Sequence, residues 1–175
     1  MKIYLFKITN KYRKSIWRKI EIRENQTFGE LDRLLRESFG YEDDHLSAFY
    51  SGNAFSLTEY GLIEPGGQGK GAKKKIKEMK LQQGSKLEYI YDMGESHISL
   101  VELLNIGEEQ SGIVYPRVIE KNKRRNRYCE KCKLQGEKQV AIYNVYYFEE
   151  ESYEQLCEPC METIDEEFDA TEIVY

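Results

Sequence analysis

TFGELDRLLRESFG, residues 27–40, reads as one capped amphipathic helix, and the alternating text before it makes the N-terminal part of the chain α+β. Thr27 stands at the N-cap with Glu30 three residues on, the reciprocal pair of a capping box. Phe28, Leu31, Leu34, Leu35 and Phe39 recur at helical spacing, and Gly40 supplies the stop. Backwards from the helix, KIYLFKIT (2–9) and IWRKIEIR (16–23) alternate with period two around the polar turn NKYRKS and predict a hairpin. In the second strand Ile16, Arg18, Ile20 and Ile22 share one face, Trp17, Lys19 and Glu21 the other. A period-two strand cannot present both sets to one helix. Trp17, the only tryptophan, is expected against Leu31, Leu34 or Leu35, with the isoleucine stripe as the competing face.

Forwards from the helix, HLSAFYS (45–51) predicts a strand. Residues 62–72 hold Gly66, Gly67, Gly69 and Gly71 and predict a mobile loop, followed by the basic stretch KKKIKEMKL (73–81), helical or extended. KLEYIYDMG and HISLVELLNI predict a second hairpin turning at MGES, and GIVYPRVIEKN (112–122) a last strand. The expected fold class is α+β: a small mixed or antiparallel sheet with one main helix over residues 1–122, then a separate four-cysteine module over 123–175.

The chain has 175 residues, enough for one ordinary domain plus a small metal-stabilised one. No apolar run approaches the roughly 20 residues that cross a bilayer. The N-terminal text lacks the apolar stretch of a signal peptide, so a cytoplasmic setting and no membrane partner are expected. All 26 Lys and Arg lie between Lys2 and Lys138, while acids recur from Glu149 to Glu172. That tail argues against nucleic-acid binding by the whole surface and leaves local basic patches open.

Cys129 and Cys132 (CEKC) and Cys157 and Cys160 (CEPC) have the spacing of two zinc knuckles. Each CxxC turn supplies two soft ligands, and a tetrahedral Zn²⁺ takes four. QVAIYNVYYFE (139–149) predicts a strand that returns the chain to the first pair, and residues 161–168 predict an acidic C-terminal helix, as in a treble-clef finger. Four reduced, unligated cysteines would not need two matched motifs. A redox dithiol would need one CxxC and a βαβ thioredoxin pattern that is missing. One Zn²⁺ with a closed, structural shell is expected.

Two polar turns are candidates for chemistry: GYEDDHL (40–46), with Asp43, Asp44 and His45, and YDMGESH (91–97), with Asp92, Glu95 and His97. Carboxylates and imidazoles hold divalent metals, so Asp43, Asp44, His45 and Asp92 form a hydrolytic site if the turns meet at one end of the sheet. The plainer reading is two solvated turns whose Asp side chains cap backbone amides. No GxSxG, phosphate-loop, HExxH or dinucleotide-binding motif is present. Lys73, Lys74 and Lys75, and Lys123, Arg124, Arg125 and Arg127 beside the first knuckle, are candidates for phosphate contact; the second set can equally offset the −2 charge of a zinc tetrathiolate.

YLFKIT (4–9), IWRKIEI (16–22), TFGELDRLLRESFGYEDDHLSAF (27–49), YIYDMGES (89–96) and YPRVIE (115–120) together resemble the plasmid-borne ORF-3-like family first named from an Ri plasmid, whose members are also described as transposon passenger proteins. The resemblance covers roughly residues 2–120, leaves the zinc module outside it, and implies a compact α+β domain associated with mobile elements. His45 and Asp92 match the family's pattern. Glu95, His97 and Ser99 depart from it, with His97 where the family carries tryptophan and Ser99 where it carries histidine. Two functions are expected from these readings: a binding or adaptor module for protein or nucleic acid, or, alternatively, a metal-dependent hydrolase or nuclease of mobile elements.

Overall fold

The computed structural model describes residues 1–53, 56–123 and 125–175. The chain divides into two compact units, Met1–Asn122 and Lys123–Tyr175.

Unit 1 runs β1 (Lys2–Asn10), β2 (Trp17–Arg23), α1 (Phe28–Phe39), β3 (Ser47–Asn53), β4 (Ser56–Ile63), the short α2 (Gly69–Ala72), a 3-10 turn (Ile76–Met79), β5 (Lys86–Tyr91), β6 (His97–Glu108) and β7 (Arg117–Lys121). Seven strands form one sheet in the order β4-β3-β5-β6-β1-β2-β7, and every pairing is antiparallel. The fold is therefore α+β with one main helix. Thr27 accepts from the Glu30 amide at 3.2 Å and Glu30 accepts from the Thr27 amide at 2.7 Å, so the capping box forms. Gly40 closes α1 with φ 71°, in the left-handed region. Thr27→Ala is expected to lower unit 1 stability by about 0.5–2 kcal/mol, measured by thermal unfolding followed at Trp17.

The isoleucine stripe wins the competition for the helix. Ile16, Ile20 and Ile22 are buried, and Arg18 between them donates from Nε and Nη2 to the Ser38 carbonyl at 3.0 and 2.8 Å, on the last turn of α1. A cation at a helix C-terminus is favoured by the dipole. Trp17 consequently sits on the other face of the sheet, half-buried, with the Lys7 and Lys19 ammonium groups 5.5 and 5.6 Å from its ring. The expected packing of Trp17 against α1 is thus corrected: three β-branched side chains bury more apolar area together than one tryptophan.

The glycine-rich segment is ordered rather than a mobile loop. A Cβ on Gly71 would overlap the Gly61 carbonyl, and one on Gly29 would meet Ala72 at 3.1 Å, so these glycines allow backbones to touch. Hydrogen bonds from Phe28 N to Lys74 O and from Ile76 N to Gln26 O, both 2.9 Å, tie the segment to the start of α1. Strand β4 was not foreseen, and the last strand is shorter than 112–122.

Unit 2 comprises α3 (Glu130–Leu134), the hairpin β8 (Tyr143–Tyr147) and β9 (Ser152–Leu156), the four-residue α4 (Glu158–Met161) and β10 (Phe168–Glu172), which pairs antiparallel with β8. The acidic helix expected over residues 161–168 does not form: beyond Met161 the chain turns and runs irregularly to Glu167, and β10 begins at Phe168. Asp165, Glu166 and Glu167 would crowd like charge toward a helix C-terminus, where the dipole opposes it. Phe168 and Ala170 instead alternate onto the unit's core. No described helix is long and apolar enough to cross a membrane.

Candidate metal centre

Cys129 is the N-cap of α3 and Cys132 lies within it; Cys157 is the N-cap of α4 and Cys160 lies within that. The β8–β9 hairpin folds the second pair back onto the first. Cys129 N donates to Gln139 O at 2.8 Å, fixing the first knuckle against the segment entering β8. Val145, Tyr147 and Leu156 pack behind the cysteines, of which Cys129, Cys132 and Cys157 are buried.

All four Sγ atoms lie within 4.8 Å of one another. Cys132 Sγ is 3.7 Å from Cys157 Sγ and 3.5 Å from Cys160 Sγ. A disulfide needs about 2.05 Å. A tetrahedral ion with metal–sulfur bonds of about 2.3 Å places its sulfurs about 3.8 Å apart, so the spacing fits a thiolate-bound divalent ion. Burial pushes the Cys129 thiol up, but the N–H groups of Cys132 and Cys157, and the thiols of the same residues, outweigh it and bring it down to about 7. The Cys132 thiol is pushed up, chiefly by its contact with Cys160, and that of Cys160 is pushed up to about 11, first by burial. Four adjacent thiols cannot all ionise without a cation among them; one divalent ion removes that conflict. Four buried, clustered cysteines can hold a metal ion.

The two polar turns of unit 1 do meet. His45 Nδ1 is 2.6 Å from Asp44 Oδ1, and His45 Nε2 is 3.8 Å from Asp92 Oδ2. Hydrogen bonding to Asp44 raises the His45 pKa. Desolvation would raise the Asp44 carboxyl, yet hydrogen bonds from His45 and Tyr91 hold it below its ordinary value. Asp43 does not join them: it ion-pairs with Arg36 at 3.3 Å and accepts from the Gly66 amide at 2.9 Å. Glu95 and His97, noted on the second turn, bring their ligand atoms within 4.8 Å of that of Asp92.

Under these turns lies a buried network that sequence reading missed. Asp32 accepts from Arg36 Nε at 2.8 Å, Ser47 Oγ at 2.6 Å and the Tyr89 hydroxyl at 2.7 Å. Burial, then the Asp32 carboxylate, raises the Tyr89 pKa well above its ordinary value. Arg36 also donates to Ser47 Oγ and to the Glu42 carbonyl, anchoring the 40–46 loop to the helix. The available signal was Asp32 and Arg36 four residues apart on the apolar stripe of α1.

Of the candidate phosphate contacts, Lys73 and Lys75 are exposed, and Lys74 holds its ammonium 5.4 Å from the Tyr60 ring. Lys123 and Arg125 are exposed in unit 2, Arg127 is half-buried, and Arg124 falls outside the described residues.

A search of curated proteins finds no significant match. A crystal structure of a protein of unknown function from Methanosarcina mazei Go1 is similar, at 26% identity and a TM-score of 0.57, over 69% of this chain and 68% of that one. The family match extends past the motifs that carried the resemblance and runs through the cysteine unit. With residues 2–173 matched, the chain belongs to the plasmid pRiA4b ORF-3-like protein family.

Proposed function

We propose that the chain is a zinc-stabilised binding protein whose C-terminal unit docks a basic segment of a protein partner. Four cysteines would close the zinc shell, leaving no position for water or substrate, so the metal's work is structural. A cytoplasmic setting, where thiols stay reduced, suits this ligand set, and the family's plasmid origin suits a protein carried on mobile elements.

The observation that carries the reading is an exposed aromatic patch. Val145 and Tyr147 of β8 turn into the core; Tyr146 and Phe148 turn the other way. The Tyr146 ring lies 4.7 Å from Tyr153 on β9 and 5.4 Å from Phe148. Tyr153 is 72% exposed and Phe148 49%, a large apolar area for a small unit to leave in water. Asp169 flanks Tyr146 on β10, and Glu149, Glu150 and Glu151 follow Phe148. Aromatic faces among carboxylates suit Arg and Lys side chains through cation–π and ionic contact. Nucleic acid suits the unit poorly, because residues 123–175 carry thirteen acidic and seven basic residues before a tetrathiolate zinc adds −2. The hydrolase alternative draws support from the meeting of Asp44, His45 and Asp92 alone.

The test titrates the full-length, zinc-loaded protein with a fluorescent Arg/Gly-repeat peptide and with duplex DNA. The peptide is expected to bind and the DNA not. Tyr146→Ala with Tyr153→Ala is expected to weaken the peptide about tenfold or more, the scale of two cation–π contacts, with metal content unchanged. Peptide binding indifferent to the aromatic pair, or a preference for DNA, would overturn the docking reading.

A further inference from the structure

We infer that the β5–β6 turn, together with His45, forms a second metal site, for a divalent ion that prefers nitrogen and oxygen ligands, such as Mn²⁺, Co²⁺ or Fe²⁺. It involves unit 1 alone and is independent of the docking surface. The chain has two histidines, 52 residues apart, and the fold brings both to the same turn. Ligand atoms of Asp92, Glu95 and His97 lie within 4.8 Å of one another. His97 Nε2 and Glu95 Oε2 are 3.1 Å apart, close to the roughly 3 Å that separates neighbouring ligands of an octahedral ion with bonds of about 2.1 Å. Asp92 spends Oδ1 on the Gly94 amide at 2.9 Å, which caps the turn, while Oδ2 faces His45 Nε2 at 3.8 Å.

An ordinary solvated turn explains the Asp92 cap. It does not explain two imidazoles approaching the one Asp92 carboxylate, with Glu95 beside His97, a donor set of the kind that binds transition metals. The surroundings also hold these ligands in place. Asp44 sits on His45 Nδ1, the carboxylate–histidine arrangement that fixes which nitrogen a metal meets, and Tyr91 donates to Asp44 at 3.0 Å. Beneath, the Tyr41 and Tyr91 rings stack at 4.5 Å and 2°, with His97 tilted on Tyr41 at 5.5 Å. Asp92 is largely buried, whereas Glu95 and His97 are exposed enough to close on an ion by side-chain rotation. Asp92, Glu95 and His97, with His45 reaching the site through Asp92, leave solvent-facing positions on a six-coordinate ion, in contrast to the closed cysteine shell.

The test uses the full chain with its cysteine site already loaded with zinc, and Co²⁺ and Mn²⁺ as separate probes. One further equivalent is expected, with a Co²⁺ spectrum lacking the sulfur-to-cobalt charge-transfer band that exchange into the cysteines would give. Glu95→Gln, at an exposed turn position, and His97→Gln, at the start of β6, are each expected to weaken it at least about tenfold with thermal stability unchanged, and Asp44→Asn by about 10–100-fold, with zinc content unchanged. Failure of both probes to give a saturable second equivalent, or retention of full affinity in the Glu95 and His97 variants, would overturn the site.

Discussion

Cys157→Ser is expected to unfold residues 123–175 while residues 1–122 stay folded. Unit 2 is small, and its core consists of the cysteines and the few side chains packed on them. A module of about 50 residues buries too little apolar surface to fold without a staple. Zinc supplies one: apparent binding free energies in zinc-finger peptides are about 10–16 kcal/mol and appear as folding free energy. Loss of one thiolate opens the shell and leaves three thiols crowded in a buried site. Amide exchange in the variant should show protection lost throughout α3 and β8–β10 and kept in the seven-stranded sheet. Cooperative loss across the whole chain, or full protection beyond residue 123, would contradict this division of stability.

Asp32→Ala is expected to cost unit 1 about 3–5 kcal/mol, the usual penalty for removing one partner of a buried ion pair. Asp32 and Arg36 are both almost fully buried. Without the carboxylate, the exposed Asp43, at 3.3 Å, is the one ionic partner left to Arg36 among the described residues. The buried O–H donors of Ser47 and Tyr89 lose the same acceptor, which adds to the cost, although Ser47 Oγ still accepts from Arg36. Denaturant unfolding read at Trp17 reports this unit alone, since Trp17 is the only tryptophan and lies in β2. A loss below about 1 kcal/mol would mean the network is relaxed by water and carries little of the fold.

What was legible in the sequence had a short-range signal. The capping box, Gly40 and the period-two runs flanking α1 are local chemistry, and the structure reproduces them. The paired CxxC motifs named the four cysteines that cluster. What was not legible depended on competition or on distant partners. Trp17 against the isoleucine stripe was decided by which face buries more, with Arg18 reaching the end of α1. Gly71 looks like a loop residue until its backbone meets that of Gly61. Residues 161–168 carry helix-like acids, yet 162–167 run as turn and irregular chain, and Phe168–Glu172 pair with β8. Asp43 and Asp44 are neighbours, yet one turns to Arg36 and the other to His45, a divergence that spacing alone does not encode.

X-ray absorption at the zinc edge, on protein purified without chelator and assayed for zinc per chain, tests the metal centre most directly. Four sulfurs at about 2.3 Å, with no lighter ligand in the shell, is the predicted result. Protein without stoichiometric zinc, or a shell containing nitrogen or oxygen, would contradict it.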